Sequence, residues 1–451
     1  MAININKYIG DRDFYERVFR VALPIALSEL LVNCTSMIDS VMVSSIGMVT
    51  AVGNAHNIVN LFHYIMYGIE AGIALFLAQF FGAKQYEDMC RTHGISVVLQ
   101  SINTLFWILV VYLFGRQVLL FYLNDPEVVE YSLMYLRINC FSFIPMSMAR
   151  TFKCQYSAMH RTRIIFADAI IYLSSSVILK YICIFKLNMG IEGLGLGNLV
   201  AEIICFLTIF IYTLINRPVF LLGIKKMFSF DSKYVLAIIK KILPCAFNEV
   251  LFGFGQSLFN KAYGMLGSAS MDAVYISSDI LSTVLFSVWG YGNAVSILVG
   301  TQLGRNHMQE AKQEAKYHLG LSFVLGLFLC LFMIFASPMM LSLYTIKDID
   351  TYNSCVSLLS VYGLKAFLRT FTYAMFCTLK AGGDNKAYNM LDSGIMYLIG
   401  IPIAFGSVLL GIKNIVLVVL LCQIEQIVRF ILTLKRYNSY KWVNNVTMLV
   451  K

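Results

Sequence analysis

Long apolar runs, separated by short polar segments, follow one another along the chain from residue 18 to residue 434. A helix needs roughly 20 apolar residues to cross a hydrocarbon core of about 30 Å, and the runs reach that length. The pattern therefore predicts an all-α integral membrane protein with twelve transmembrane helices. We place these spans near residues 18–45, 50–81, 94–114, 128–158, 163–185, 191–216, 235–266, 270–303, 316–336, 349–379, 387–409 and 412–434.

Lysine and arginine residues are distributed unevenly between the two sets of loops. Of the 35 in the chain, 21 lie in segments on the same side of the membrane as the N-terminus, four lie in the opposite loops and ten lie within spans. Cytoplasmic loops are the ones enriched in basic residues. The bias predicts a multi-pass protein of the plasma (inner) membrane with both termini in the cytoplasm.

The composition argues against several classes of function. Hydrophobic residues make up 59% of the chain and charged residues 13%, whereas soluble domains contain about 25% charged residues. The net charge of the chain is +10, and most of its basic residues are in short loops beside apolar runs. This placement favours contact with anionic lipid and argues against binding of nucleic acid. The eleven cysteines include no CxxC pair, so no disulfide framework or metal site is indicated. Without a catalytic or ATP-binding motif, we expect neither enzyme activity nor a cofactor.

A few charged residues lie inside the spans. The first span contains Pro24, Glu29 and Asp39, and the seventh repeats the pattern 220 positions later with Pro244 and Glu249. An ionised carboxylate in the hydrocarbon core costs at least about 2.5 kcal/mol. These acids must therefore face protein, water or an ion, and we expect the two prolines to kink their helices.

The repeat extends beyond these spans, and its two copies have the same orientation. Six spans per half is an even number, which gives parallel repeats related by an axis along the membrane normal. We predict an N-terminal lobe at 1–216, a cytoplasmic linker at 217–233 and a C-terminal lobe at 234–451, with a central cleft that opens alternately to each side. Further matching residues, at offsets of 219 to 223, are Gly47 with Gly267, Gln79 with Gln302, Arg150 with Arg369, and Glu202 with Glu425.

At this point the chain resembles the multidrug and toxic compound extrusion (MATE) transporters over essentially its whole length. The resemblance rests on Pro24, Asp39 and Gly47 of the first span, the AQFFGA end of the second, the MGIEGLGLGN start of the sixth and the basic linker. It implies a V-shaped bundle of two six-helix lobes. It also implies export of amphipathic, often cationic compounds in exchange for H⁺ or Na⁺, with small organic molecules and membrane lipid as partners and a monomeric protein.

The chain departs from the family at one ion site. In one branch of the family the first-span acid, an Asn and an Asp in span five and a Thr in span six bind the coupling cation. The aligned residues here are Asp39, Ser176, Lys180 and Asn198. Counted at 1.5 Å per residue, Asp39, Lys180 and Asn198 lie at similar depths, about 9, 7.5 and 10 Å from the outer helix ends. We hypothesise that the Lys180 ammonium takes the ion's place beside Asp39; the alternative is that Lys180 reaches out to the headgroups.

Other charged residues have two interpretations each. Glu29 and Glu249 lie nearer the midplane and are candidates for binding H⁺ or a cationic substrate, although Glu249 could instead brace the kink at Pro244. Asp279 and Lys261 are predicted to lie at the same depth of the C-terminal lobe. Glu202 has no partner in its own helix and could face the cleft. We expect solvation or loop pairing for Asp168 and Asp392, a local ion pair for Glu425 with Arg429, and no metal site at His56 and His63.

Two alternative functions remain open. A lipid-linked oligosaccharide flippase of the same superfamily would share the fold, although such proteins commonly carry extra spans or a strongly cationic cleft. A channel or receptor would not require a lobe duplication with kinked helix pairs. Twelve spans and charges of both signs favour the exporter.

Overall fold

A computed structural model describes residues 5–45, 48–122, 125–229, 231–342, 344, 346 and 348–450; Gly47, one of the repeat positions, lies outside them. Helices make up nearly all of the described chain. The first half contains α1 (Arg12–Ser45), α2 (Val49–Gly82), α3 (Tyr86–Tyr122), α4 (Pro126–Asn139), α5 (Phe143–Ala158), α6 (Arg163–Tyr181) and α7 (Gly190–Asn216). The second half contains α8 (Ile224–Met227), α9 (Ser232–Gly264), α10 (Ser268–Gly304), α11 (Met308–Phe335), α12 (Ser337–Leu341), α13 (Ile349–Ala381), α14 (Asn385–Asn389), α15 (Ile401–Leu409) and α16 (Ile415–Asn438).

The twelve predicted spans all fall on these helices. A 3-10 turn at Cys140–Ser142 divides span four into α4 and α5, and π-helical turns at Met390–Gly394 and Met396–Gly400 join α14 to α15 within span eleven. Such π turns often accompany functional positions. Within the described residues, eight helical segments are long and apolar enough to cross a membrane: Thr50–Gly82, Tyr86–Tyr122, Arg163–Lys186, Gly190–Asn216, Ser270–Gly304, Met308–Phe335, Asn385–Leu409 and Ile415–Asn438.

Side-chain caps fix where several helices begin. Asp125 accepts hydrogen bonds from the backbone N–H groups of the first turn of α4, and Asn414 does the same for α16. Asp348 accepts from the Thr351 hydroxyl at 2.7 Å and from its backbone N–H at 2.9 Å at the start of α13. These bonds lower the pKa of the Asp348 carboxyl, because they favour its charged form. The loop residues thus satisfy N–H groups that have no partner inside the helix.

The chain forms two compact units. The N-terminal unit comprises Leu27–Glu249 together with the last residues from Thr447. The C-terminal unit comprises Val250–Val446 together with the residues up to Ala26. Both α1 and α9 therefore contribute one part to each unit. The lobe boundaries at residues 216 and 234 stay a prediction, since the units follow packing and not the ends of the repeats.

The two changes of unit follow soon after Pro24 and Pro244. Proline has no N–H to donate to the preceding turn and usually kinks a helix. Helices α1 and α9 nevertheless continue through these residues. The chain thus changes its packing partners in the same region of α1 and of α9, and the kinks themselves stay a prediction.

Close contacts between small residues also follow the repeat. In the N-terminal unit, a Cβ added to Gly68 of α2 would overlap the backbone of Ala246 in α9. In the C-terminal unit, a Cβ added to Gly290 of α10 would overlap Ala26 of α1 in the same way. Glycine and alanine permit such backbone approach between helices in lipid. The duplication therefore determines helix packing as well as helix order.

Candidate ion and substrate sites

An ion pair joins α1 to α6 in the N-terminal unit. The Lys180 ammonium donates to both carboxylate oxygens of Asp39, at 2.8 Å to Oδ1 and 2.7 Å to Oδ2. The Lys180 side chain is 1% exposed and that of Asp39 is 22% exposed. The alternative in which Lys180 reaches the headgroups is wrong, because its charged end is buried against Asp39. The expected pairing of these two residues is confirmed.

Glycines at the start of α7 bring that helix close to the Lys180 backbone. A Cβ on Gly197 would lie 2.7 Å from Lys180 Cγ and 2.9 Å from its Cα, and one on Gly193 would lie 3.0 Å from the Cys183 carbonyl. One on Gly195 would lie 3.1 Å from the Tyr135 carbonyl oxygen in α4. The glycine-rich segment therefore permits α7 to pack against its neighbours at the level of the ion pair.

The other two aligned residues have different surroundings. Asn198 donates to Asn139 Oδ1 at 2.8 Å and accepts from the Tyr172 hydroxyl at 3.1 Å. The Ser176 hydroxyl is buried and has no hydrogen-bond partner among the described residues. Neither side chain bonds to the ion pair. The depth estimate placed Asn198 at the level of the ion pair but did not determine which way its side chain faces.

A second charged cluster surrounds Arg150 of α5. Its Nη1 atom lies 3.7 Å from Glu29 Oε1 of α1 and 3.6 Å from Glu70 Oε2 of α2. Its guanidinium also lies over the Tyr67 ring, 4.9 Å from the centroid. One cation thus serves two carboxylates from different helices. Glu70 was missed from the sequence, although an acid inside the apolar second span was the available signal.

Two further acids of the N-terminal unit lie close to this cluster. Asp168 Oδ2 lies 2.6 Å from Lys153 Nζ, and the Asp168 side chain is 0% exposed. The expectation that Asp168 is solvated or paired in a loop is wrong, because α5 supplies the partly buried Lys153 as its partner. Glu202 is buried and forms no ion pair within the described chain; Lys153 and Arg150 act on it through longer electrostatic interactions.

The described charges of the N-terminal unit's interior do not balance. Lys180 neutralises Asp39, and Lys153 neutralises Asp168. Arg150 is then shared by Glu29 and Glu70, and Glu202 has no ion pair of its own in this part of the chain. Buried charges are stable when they are paired. Glu202 is therefore a buried carboxyl group without an ion pair in the described residues, and a proton or a cation would neutralise it.

The C-terminal unit contains a charged cluster with two arginine side chains, Arg369 and Arg429. Arg369 Nη1 of α13 donates to Asp392 Oδ1 at 2.8 Å, and Arg429 Nε of α16 lies 3.7 Å from the same oxygen. The local pair of Glu425 with Arg429 is confirmed. The expectation that Asp392 is solvated or paired in a loop is wrong. Asp392 lies in the π-helical turn Met390–Gly394, and its side chain is buried in the unit, with 2% of its surface exposed.

The remaining candidate residues do not join these clusters. Glu249 is partly buried and acts electrostatically on Tyr64 of its own unit. Asp279 is exposed and accepts a hydrogen bond from the Tyr344 hydroxyl at 2.7 Å. Lys261 is also exposed, and in the described residues it forms no ion pair with Asp279. A role for these three residues stays a prediction.

The two histidines of span two contact aromatic rings. The ring centroid of His63 lies 5.8 Å from that of Tyr67 and 5.6 Å from that of Phe62, and the His56 centroid lies 6.2 Å from that of Tyr135. Among the described residues no group of three or more His, Cys, Asp or Glu side chains could hold a metal ion.

Comparisons with known proteins give consistent matches. The family model described as MatE matches residues 24–182 and 244–406, once in each half. Multidrug and toxin extrusion protein 1 of Oryctolagus cuniculus is 20% identical over 442 residues, covering 93% of this chain and 75% of that protein. The uncharacterized transporter YisQ of Bacillus subtilis is 21% identical over 442 residues, covering 94% of each.

Two solved structures have the same fold. One is a multidrug resistance MATE family transporter of the MOP superfamily in an outward-facing conformation, with a TM-score of 0.85 and 15% identity, covering 98% of this chain and 99% of that one. The other is a MOP superfamily transporter from Pyrococcus furiosus described by the reverse polarity of its binding pocket, with the same score, identity and coverage. These matches confirm the all-α fold with two repeats.

Proposed function

The chain belongs to the MATE family of membrane transporters, and from this premise we propose that it exports amphipathic organic compounds, cationic ones among them, in exchange for H⁺ or Na⁺. Alternating access of a cleft between the lobes 1–216 and 234–451 is the proposed mechanism. We further propose a monomer in the plasma membrane with both termini and the linker 217–233 in the cytoplasm. Glu249, Asp279 and Lys261 stay candidates for contacts with the substrate.

The observation that carries this proposal is Glu202, a buried acid of the N-terminal unit that forms no ion pair within the described residues. Arg150 is shared by Glu29 and Glu70 at 3.7 and 3.6 Å, and buried Glu202 has no ion pair within the described residues. A site that is neutral with a bound proton or cation and charged without it alternates between two electrostatic states. Such a change is what coupling to an ion gradient requires.

Lys180 supports a further proposal about the coupling ion. Its ammonium donates to both Asp39 oxygens, and the family resemblance puts the coupling cation of one branch beside the residue aligned with Asp39. We propose that Asp39 binds no Na⁺ and that coupling through the N-terminal unit uses Glu202 and the neighbouring Arg150 cluster. In transport measurements on the unmodified protein and on Lys180→Asn, Na⁺ dependence already present in the unmodified protein would contradict this proposal.

The experiment that tests the function is transport of ethidium, a fluorescent organic cation, in vesicles containing the purified protein. A pH gradient and a Na⁺ gradient are imposed separately. We expect one of them to drive transport, and protein-free vesicles are the control. No gradient-driven transport of ethidium or of a small panel of amphipathic compounds would refute the exporter.

The C-terminal cluster favours a second candidate, a lipid-linked oligosaccharide flippase. Arg369 and Arg429 place two guanidinium groups beside Asp392 inside that unit, and a phosphate-linked lipid is an anion that arginine binds well. Drug susceptibility of cells expressing the protein supports the exporter, whereas accumulation of a lipid-linked intermediate when the protein is lost supports the flippase.

A further inference from the structure

We propose that Lys365 of α13 binds the anionic group of an amphipathic substrate. The inference rests on the proposed transport function and specifies part of its substrate class. The group would be a carboxylate, sulfonate or phosphate attached to an apolar or aromatic body. The argument starts from the charges inside the C-terminal unit.

The C-terminal cluster contains one cation more than its acids neutralise. Arg369 bonds Asp392, and Arg429 bonds Glu425 and also contacts Asp392. Lys365 lies one helical turn before Arg369, and it forms no ion pair within 4.0 Å in the described part of the chain; Glu425 acts on it from a longer distance while bonded to Arg429. An unpaired ammonium inside a span is costly. A bound anion would supply the missing counter-charge.

Comparison of the two repeats shows that this cation is particular to the second half. The offset of 219 that relates Arg150 to Arg369 aligns Lys365 with Met146, an apolar residue. The offset of 222 that relates Gly68 to Gly290 aligns Glu70 with Gly292. The first half therefore has an acid at a position where the second half has glycine, and the second half has a base at a different position, where the first half has methionine. A basic group is not required at this position for the helices to pack.

The surroundings of Lys365 suit an anion with an aromatic body. The ammonium lies over the Tyr362 ring, 5.4 Å from its centroid, and the Tyr362 hydroxyl is 3.3 Å from Ser278 Oγ. The next turn presents the Arg369 guanidinium near the rings of Phe252 and Tyr373, at 5.5 and 5.8 Å. The lysine keeps some exposed surface. An ammonium is a point charge that pairs with an oxyanion without demanding a planar partner.

The test uses two probes that differ only in one charged group. Rhodamine 6G is an ester cation, and its free acid has the same ring system with a carboxylate. Binding of each is measured by fluorescence polarisation on the full-length protein in nanodiscs of neutral phosphatidylcholine. The variants are Lys365→Met, which restores the residue of the first repeat, Lys365→Arg, and the control Lys413→Met at an exposed lysine in the loop before α16.

We expect Lys365→Met to weaken binding of the free acid about tenfold, which is about 1.4 kcal/mol, and to leave the ester unchanged. We expect Lys365→Arg to keep part of the preference for the free acid over the ester, and Lys413→Met to keep all of it. The proposal is overturned if Lys365→Met changes the affinity for both probes equally. It is also overturned if the wild type does not bind the free acid more tightly than Lys365→Met does. If wild-type vesicles transport neither ethidium nor the panel of amphipathic compounds while the Lys365-dependent preference persists, the exporter function fails and the anion site stands.

A second arm identifies the source of the anion. Phosphatidylglycerol is added to the nanodiscs, and a lipid headgroup that occupies the site would compete with the free acid in the wild type but not in Lys365→Met. Competition of this kind assigns the site to an anionic lipid, and its absence assigns it to a soluble amphipathic anion. Both assignments require the anion site, so Lys365→Met, which should lack the site, serves as the control for each.

Discussion

Breaking the Asp39–Lys180 pair gives the most direct physical test of the N-terminal unit. Removal of one partner of a buried ion pair costs about 3–5 kcal/mol, because the other charge stays buried without a partner. In Lys180→Met the stranded carboxylate is 22% exposed, whereas in Asp39→Asn the stranded ammonium is only 1% exposed. We therefore expect a loss in the free energy of unfolding of about 3 kcal/mol for Lys180→Met and about 5 kcal/mol for Asp39→Asn.

The double variant separates the pair from its surroundings. With both charges removed, neither group is left unpaired, and replacement of a buried ion pair by neutral groups is often close to neutral. We expect the double variant to be within about 2 kcal/mol of the wild type, so that the coupling energy of the cycle is about 6 kcal/mol or more in magnitude. The order of the two single variants follows from the unequal exposure of the partners.

Thermal unfolding in detergent, followed by tryptophan fluorescence, measures these differences. A loss of 1 kcal/mol lowers the Tm of a unit of about 200 residues by about 2 °C, so Lys180→Met should lose about 6 °C. The matched control is Glu130→Gln in the exposed pair with Arg116, where the side chains are 52% and 58% exposed and the effect should stay below about 1 kcal/mol. Additive single variants, with no recovery in the double variant, would refute the account of the pair.

Three further predictions concern the other contacts. Glu70→Gln should reduce gradient-driven ethidium transport at least about tenfold, since it removes one of the two carboxylates that share Arg150, while the exposed Glu130→Gln keeps near wild-type rates; equal rates in both would contradict the role of Glu70. Gly197→Ala should displace Lys180 and lower stability by about 1–3 kcal/mol, as checked by thermal unfolding; an unchanged Tm would show that α7 adjusts freely. Gly290→Leu should disrupt the contact with α1 and lower the yield of folded protein in the monodisperse peak of size-exclusion chromatography. A wild-type yield of monodisperse protein would contradict this prediction.

The sequence by itself determined the helices and the duplication. The apolar runs gave all twelve spans, because burial in lipid requires length and hydrophobicity along the chain. It also identified most of the acids that lipid would not tolerate, and the depth estimate brought Asp39 and Lys180 to one level. Pairs four residues apart, such as Glu425 with Arg429, follow from helix geometry alone.

Only the tertiary structure decided which charged residues meet across helices. Asp39 and Lys180 are 141 residues apart, and their contact depends on the rotation and tilt of α1 and α6, which hydropathy does not report. For the same reason the depth estimate placed Asn198 at the right level but predicted the wrong neighbours for it. The position of Asp168 near a helix end led to the wrong expectation that it is solvated. A carboxylate near a helix end is buried or exposed according to what the adjacent helix carries, and in this protein α5 carries Lys153.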